Sequence, residues 1–284
     1  MNLINMDYKK EDYIKFMQLY SHQSWLCKKE PNLEALIEIC DTREQKNLVF
    51  SLLDRFHYLK EDMVHLLLEQ MADYIVNCEF EKSRTLLVAS TYDEEADSGQ
   101  KILDMLKVPL YERRWRDVKT VNIIGKAIRP ISQGKDQIII IDEFLGTGRT
   151  LRTRVEWLKK NANQNIDIKC CFMAGMRNAV EALNADSIKI FCPLQLEKGI
   201  SEYFEGDRLA HAEHDMLCLE SKLAQRIQEK YLADYSFGFG KAEALYSLEN
   251  GNTPNSVFPI FWWIKDQNGN ERKTILTRYE KGFE

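Results

Sequence analysis

The sequence predicts an α/β protein in which a mainly parallel β-sheet is flanked by helices and preceded by a helical amino-terminal module. Four consecutive isoleucines at 138–141 favour a strand buried on both faces, because the run is too short for a buried helix. Strand-like segments alternate with a helical segment over residues 167–192, and such alternation requires parallel strands with crossover helices. The first 98 residues contain no glycine and a single proline, which is typical of helices.

The helical amino-terminal module is predicted to comprise residues 1–81, and the sheet domain with a carboxyl-terminal extension residues 82–284. Apolar residues repeat at helical spacing in four segments of the module: 13–20, 33–40, 48–56 and 63–78. Because most amphipathic stripes form core, we interpret the module as a scaffold. The alternative is a helical bundle that docks a partner or binds nucleic acid, although its charges are mixed and no basic helix stands out.

The order of elements in the second domain follows from the same patterns. We expect strands at 85–90, 138–141, 167–174 and 187–192, and helices at 100–107, 151–160 and 177–184. In the extension we expect a helix at 217–230 and a short strand at 242–247.

The composition of the 284-residue chain is that of a globular protein, with 44% hydrophobic residues and a formal net charge of −5. This charge argues against bulk electrostatic binding to nucleic acid, although a local basic patch is not excluded. The seven cysteines are scattered and show no CxxC spacing, which suits a reducing compartment without structural zinc. No apolar segment is long enough for a signal peptide or a membrane span. We therefore expect a cytoplasmic protein without a membrane partner.

The segment 138–150, IIIIDEFLGTGRT, combines a strand, two acids, a glycine-containing loop and the start of a helix. Glycines allow a tight turn, so that backbone N–H groups can converge on an anion at a helix N-terminus. The segment is therefore a candidate phosphate-binding loop with carboxylates beside it. The alternative is an ordinary strand–turn–helix with solvated acids, but the combination of strand, glycines and helix favours the phosphate loop.

This segment resembles the phosphoribosyl pyrophosphate (PRPP) motif of type I phosphoribosyltransferases. The resemblance implies that Asp142 and Glu143 approach the ribose hydroxyls and stabilise positive charge on the sugar during catalysis. It implies that the 5′-phosphate is held by Gly146, Thr147, Gly148, Arg149 and Thr150. It also implies that Mg²⁺ arrives with the pyrophosphate of the substrate. Glu143 replaces the usual Asp, and Gly146 stands where some purine-salvage members carry an acidic general base, so no general base is assigned.

Two further segments correspond to pyrophosphate-binding regions of that family. Ser98 and Gly99 follow the first strand, where the family has a loop that contacts pyrophosphate. Four acids precede them, which we interpret as a solvated loop: Asp93, Glu94, Glu95 and Asp97. Arg113 and Arg114 lie where family members often carry a mobile loop, and arginine suits bidentate phosphate binding. A solvated basic face is an equal alternative for these arginines.

The carboxyl-terminal third resembles a narrower family, the phosphoribosyltransferase-like proteins of bacterial conflict systems. The shared features are TPN at 253–255, PIFW at 259–262, and an acid pair followed by phenylalanine and GTG at 142–148; in that family Gly146 is expected. The resemblance covers about residues 86–263 and implies an effector, such as an anti-phage toxin controlled by a partner protein or a retron-like ribonucleoprotein. Asn255 is assigned to the substrate site on this basis, with turn capping as the alternative.

A metal site elsewhere is not expected. His211 and His214 could meet beside Asp215, but no third ligand of the kind that catalytic zinc needs accompanies them. The chain is thus interpreted as a protein that binds PRPP or a related ribose 5-phosphate compound, with a nucleotide, a nucleic acid or a protein as acceptor. The alternatives are a non-catalytic sensor of PRPP or nucleotides, which the missing general base favours, and a nucleotide-salvage phosphoribosyltransferase.

Overall fold

The computed structural model describes residues 10–91 and 98–279. Its α-helices are α1 Lys10–His22, α2 Glu30–Glu38, α3 Arg43–Asp54, α4 Glu61–Asn77, α5 Ser98–Met105, α6 Lys107–Glu112, α7 Ile128–Ser132, α8 Arg149–Asn161, α9 Arg177–Ala185, α10 Gly206–Glu220 and α11 Leu232–Tyr235. Its β-strands are β1 His57–Leu59, β2 Thr85–Ala89, β3 Lys119–Val121, β4 Gln137–Leu145, β5 Asp167–Met176, β6 Lys189–Phe191, β7 Leu194–Leu196, β8 Arg226–Ile227, β9 Lys230–Tyr231 and β10 Tyr246–Leu248. Three short 3₁₀ helices cover Ser24–Lys29, Ile124–Ala127 and Pro259–Phe261.

The main sheet has the strand order β3–β2–β4–β5–β6, and β7 pairs with the end of β5. These pairings are parallel. β4 lies between β2 and β5, and its residues Ile138, Ile139, Ile140 and Ile141 are fully buried. Helix α5 packs against β2 and β4, and α4 packs against β5. The predicted α/β fold with a parallel sheet and flanking helices is therefore confirmed.

The carboxyl end of β4 differs in one respect from the strand predicted at 138–141. The strand does not stop before the acid pair, because its pairing with β5 continues to Leu145 opposite Gly175. Asp142 and Glu143 therefore lie within the strand, where successive side chains point to opposite faces of the sheet. Glu143 is 3% exposed, whereas Asp142 is partly exposed at the edge.

The helix predicted at 217–230 is wrong. The chain is helical over 206–220 instead, and Ala224 beyond it makes hydrogen bonds to a distant segment. The backbone N–H of Ala224 donates to Lys265 O at 3.0 Å, and its carbonyl accepts from Trp263 Nε1 at 3.0 Å. These tertiary bonds take the backbone groups that a continuing helix would pair internally. Residues 221–230 contain neither glycine nor proline, so the sequence carries no sign of this interruption.

The strand predicted at 242–247 is displaced. In this region the strand covers Tyr246–Leu248, and Ala244 forms an isolated bridge with Val257. Lys241 and Glu243 adopt left-handed φ values of 55° and 53°, which interrupt an extended strand. The other predicted helices and strands are present with shifted ends, and the helix expected at 100–107 is divided into α5 and α6.

The chain forms two compact units. Residues 59–197 form the sheet unit, and residues 1–58 together with 198–284 form the other, which we call the two-ended unit. The two-ended unit has an aromatic core in which Trp262 is 1% exposed and donates from Nε1 to Val257 O at 2.9 Å. The sequence-based boundary at residue 81 stays a prediction about domains. Along the described residues, no helix combines the length and apolar character needed to cross a bilayer.

Candidate functional site

The loop between β4 and α8 places a glycine at the N-cap of a helix. Gly148 has a φ of 74°, in the left-handed region that favours glycine. A Cβ at this position would lie 2.7 Å from Leu183 Cδ1, so Gly148 also allows α9 to pack closely. Thr147, Arg149 and Thr150 are exposed around this helix start, and the first turn of α8 contains no acid. The positive end of the helix dipole and these polar side chains together suit an anion.

Asp142 is held by hydroxyl donors from two other segments. The Ser98 hydroxyl donates to Asp142 Oδ1 at 3.0 Å, and the Ser90 hydroxyl donates to Asp142 Oδ2. The backbone N–H of Glu143 donates to Oδ1 at 2.8 Å. Arg154 Nη1 donates to the Ser90 oxygen at 2.8 Å, which links α8 to the carboxylate through one hydroxyl. The Asp142 carboxylate therefore has a fixed orientation at the carboxyl end of β4.

Ser98 and Gly99 lie beside Asp142, and the pyrophosphate role that the resemblance gives them stays a prediction. A Cβ on Gly99 would lie 3.2 Å from both Ile141 O and Ser90 N, and 3.3 Å from Asp142 Oδ1. Glycine here lets the start of α5 approach the carboxyl ends of β2 and β4 closely. The predicted solvated acids of the preceding loop lie outside the described residues.

Arg113 is engaged by two acids of α4. Its Nη2 donates to Glu69 Oε2 at 2.7 Å, and its Nε donates to Asp73 Oδ1 at 2.7 Å. The hydrogen bond from Arg113 lowers the pKa of Asp73 below its ordinary value. The Arg113 side chain is only 19% exposed and ties the end of α6 to α4. Arg114 follows with a left-handed φ of 63°. The pyrophosphate role of both arginines stays a prediction.

The polar side chains of the TPN loop bond within the two-ended unit. Thr253 is 1% exposed, and its N–H and hydroxyl donate to Thr277 O at 3.0 and 2.8 Å. The Asn252 side chain accepts from Tyr279 N at 2.7 Å and donates to Tyr279 O at 2.8 Å. Asn255 accepts at its backbone oxygen from Phe239 N at 2.8 Å. Its assignment to the substrate site stays a prediction.

A large groove in the two-ended unit contains the histidines singled out in the sequence. His211, His214 and Asp215 line a cavity of about 1320 Å³ between α3 and α10. Burial raises the pKa of Asp215 above its ordinary value. His214 Nε2 lies 3.5 Å from Cys218 Sγ. Within residues 10–91 and 98–279, no group of three or more His, Cys, Asp or Glu side chains could hold a metal ion.

Two members of the Asp142 network, Ser90 and Arg154, were not predicted from the sequence. Ser90 could have been found, because parallel strands end at the same edge and the register places Ala89 opposite Ile141. The backbone N–H of Ser90 donates to Ile141 O at 3.0 Å and fixes this alignment. Arg154 carries no such signal, because helical spacing does not say which face of α8 turns towards β2.

One family model matches most of the chain. The PRTase-CE family model matches residues 37–278, beginning well before the segment whose resemblance is visible by inspection. No curated protein matches the chain.

Solved structures with similarity to the chain include three from different organisms. A hypothetical protein from Neisseria gonorrhoeae with bound ppGpp is 13% identical, with a TM-score of 0.37 over 50% of this chain and 83% of that one. The xanthine-guanine-hypoxanthine phosphoribosyltransferase of Helicobacter pylori is 15% identical, with a TM-score of 0.32 over 50% and 85%. The purine phosphoribosyltransferase of Pyrococcus horikoshii is 16% identical, with a TM-score of 0.29 over 53% and 94%. The PRTase-CE model matches most of the length of this chain. The chain therefore belongs to the PRTase-CE family and is phosphoribosyltransferase-like.

Proposed function

We propose that this protein binds PRPP, or a related ribose 5-phosphate compound, at the carboxyl end of β4. The observation that carries the proposal is the Asp142 carboxylate, oriented by Ser90 and Ser98, in the strand that leads into the glycine-containing start of α8. The exposed Thr147 and Thr150 would bind the 5′-phosphate, and Asp142 would accept hydrogen bonds from the ribose hydroxyls.

We further propose a transfer reaction at this site. A nucleophile on the acceptor forms a bond to ribose C1 while the bond from C1 to pyrophosphate breaks, and pyrophosphate leaves together with the Mg²⁺ that it carried. Positive charge develops on the sugar, and the ionised Asp142 would stabilise it electrostatically. Glu143 is buried, so it would contribute through its electrostatic field at the carboxyl end of β4. The acceptor would be a nucleotide, a nucleic acid or a protein.

The biological role that we propose is that of an effector in a bacterial anti-phage system, controlled by a partner protein or ribonucleoprotein. The support is the resemblance of GTG at 146–148 and of TPN and PIFW to conflict-system proteins. Gly146 disfavours the salvage alternative, because it offers no general base. The same feature favours a second candidate function, a sensor that binds PRPP without turnover.

The binding step is tested by thermal unfolding with ribose 5-phosphate. At one hundred times Kd we expect the melting temperature of the wild type to rise by roughly 5 °C. Thr150→Val should reduce this rise because it removes a hydroxyl from the phosphate loop. Thr153→Val is the matched control, since that hydroxyl donates to Arg149 O at 3.2 Å within the helix. An equal rise in both variants would contradict the proposed phosphate loop.

An assay of pyrophosphate release distinguishes an enzyme from a sensor. With Mg²⁺-PRPP and a mixture of nucleotide, RNA and protein acceptors, an enzyme releases pyrophosphate, and Asp142→Asn should abolish most of this release. A sensor shows the PRPP-dependent rise in melting temperature without pyrophosphate release. Absence of any rise with either ligand in the wild type would reject both functions.

A further inference from the structure

A second cavity opens on the exposed side of α8. It has a volume of about 400 Å³, within the range of small-molecule sites. The residues that line this α8 cavity are Ile124, Arg149, Thr150, Thr153, Arg154 and Trp157. None of the six is acidic and two are arginines, so the lining favours an anionic ligand.

The α8 cavity has different chemistry at its two ends. Thr150, Thr153 and Trp157 are spaced three and four residues apart, so they lie along one face of the helix. Seven residues at the rise of an α-helix separate Thr150 from Trp157 by about 10 Å. The half-buried indole of Trp157 lies at one end of this stripe, and the positive N-terminus of α8 lies at the other.

This arrangement selects among ligand classes. Inorganic phosphate would use the arginines but leave the indole without a role, and a free nucleobase is too short to reach from Trp157 to the helix start. A nucleoside polyphosphate uses both ends, because its base can stack on an aromatic ring and its phosphates can bind arginine. We propose that the α8 cavity binds a nucleoside polyphosphate, with the base against Trp157 and the phosphates towards Arg149 and Arg154.

A nucleotide in the α8 cavity would be connected to Asp142 through Arg154. This side chain lines the cavity and also donates to Ser90, whose hydroxyl donates to Asp142. A phosphate group that attracts Arg154 would change the donor to Ser90, so occupancy of the cavity would alter the surroundings of Asp142. The inference goes beyond ribose phosphate binding, but the cavity shares Arg149 and Thr150 with the proposed phosphate loop. Thr153, Arg154 and Trp157 lie outside that loop, so substitutions at Trp157 and Thr153 separate the two proposals.

Calorimetric titration of the full chain with ADP tests the proposal. Trp157→Leu keeps an apolar side chain but removes the aromatic face, and we expect it to weaken ADP binding at least about tenfold. Trp157→Phe is the matched control and should stay within about threefold of the wild type, because it retains a ring. Thr153→Phe removes nothing from the core and fills the cavity, and it should also weaken ADP binding at least about tenfold. Pyrophosphate alone should bind the wild type at least about tenfold more weakly than ADP.

The proposal is overturned if the wild-type Kd for ADP is weaker than about 1 mM. It is also overturned if Trp157→Leu and Thr153→Phe both bind ADP like the wild type. The rise in melting temperature with ribose 5-phosphate is measured on the same proteins. Failure of that rise alone rejects the ribose phosphate site and leaves the nucleotide site standing. Loss of ADP binding in the Trp157→Leu protein with a normal rise supports a nucleotide site that depends on the indole and not on the phosphate loop alone.

Discussion

The PRPP motif and the TPN–PIFW segment both carry a family resemblance, yet they use their polar residues differently. In the PRPP motif, Thr147 and Thr150 are exposed around the start of α8. In the TPN–PIFW segment, Thr253 is buried and bonded twice to Thr277 O. The hydroxyls of a recognisable motif can thus be exposed, as ligand binding requires, or buried in hydrogen bonds within the fold.

The largest effect that this contrast predicts concerns Trp262. Truncation of a fully buried aromatic side chain typically costs about 3–5 kcal/mol, and Trp262→Ala also removes the donor to Val257 O. We expect the variant to unfold at much lower urea concentration than the wild type, or to fail to fold. A variant of wild-type stability would show that the TPN–PIFW segment is not part of a core, and the contrast would not hold.

The next effect belongs to the PRPP motif and should appear in chemistry rather than stability. Asp142→Asn keeps the shape of the side chain but removes its charge, and we expect pyrophosphate release from PRPP to fall by about 10²–10³-fold. Ser90→Ala, which removes one donor to Asp142, should lower the rate less. Circular dichroism and urea unfolding provide the control for folding. Unchanged release in a folded Asp142→Asn protein would remove this acid from the site.

A matched pair of substitutions sharpens the contrast directly. Thr253→Val removes a buried hydroxyl donor and should lower the free energy of unfolding by about 1–3 kcal/mol, without changing the response to ribose 5-phosphate. Thr150→Val should do the reverse, with little change in stability and a reduced response. Urea unfolding and thermal shift on both proteins provide the measurement. The contrast is contradicted if the two variants behave alike.

The smallest expected effect is that of Asn255→Ala. Its cost in stability should be about 1 kcal/mol or less, because the backbone oxygen of Asn255, which the substitution retains, makes the bond to Phe239. The contrast leads us to expect an unchanged response to ribose 5-phosphate. A lost response in a stable protein would instead support the sequence-based assignment of Asn255 to the substrate site.

The sheet and the central motif could be predicted because local chemistry determines them. Ile138 to Ile141 suit a strand buried on both faces, and the glycines after β4 mark the turn into α8. The family resemblance assigned Ser98 and Gly99 to a pyrophosphate loop, which stays a prediction, whereas the hydrogen bond from the Ser98 hydroxyl to Asp142 is visible only in the structure.

Features that depend on distant partners could not be predicted. The sequence does not show that Arg113 pairs with Glu69 and Asp73, because helical spacing gives no information on which helices meet. The end of α10 is equally hidden, since it depends on hydrogen bonds between Ala224 and residues about forty positions away along the chain. Gly148 appears in the sequence as a phosphate-loop glycine, but its nearest constraint is Leu183. Replacing it would strain the fold whether or not a ligand binds.

The division of the chain into a continuous and a two-ended unit has a consequence for biosynthesis. Domains generally fold as units while the chain emerges from the ribosome, and contacts between distant segments form late. The sheet unit can fold once residue 197 has emerged, whereas residues 1–58 must wait for the segment that begins at residue 198. During that interval α3 lacks α10, against which it packs, so a pause or premature stop late in translation would expose this helix to chaperones and proteases.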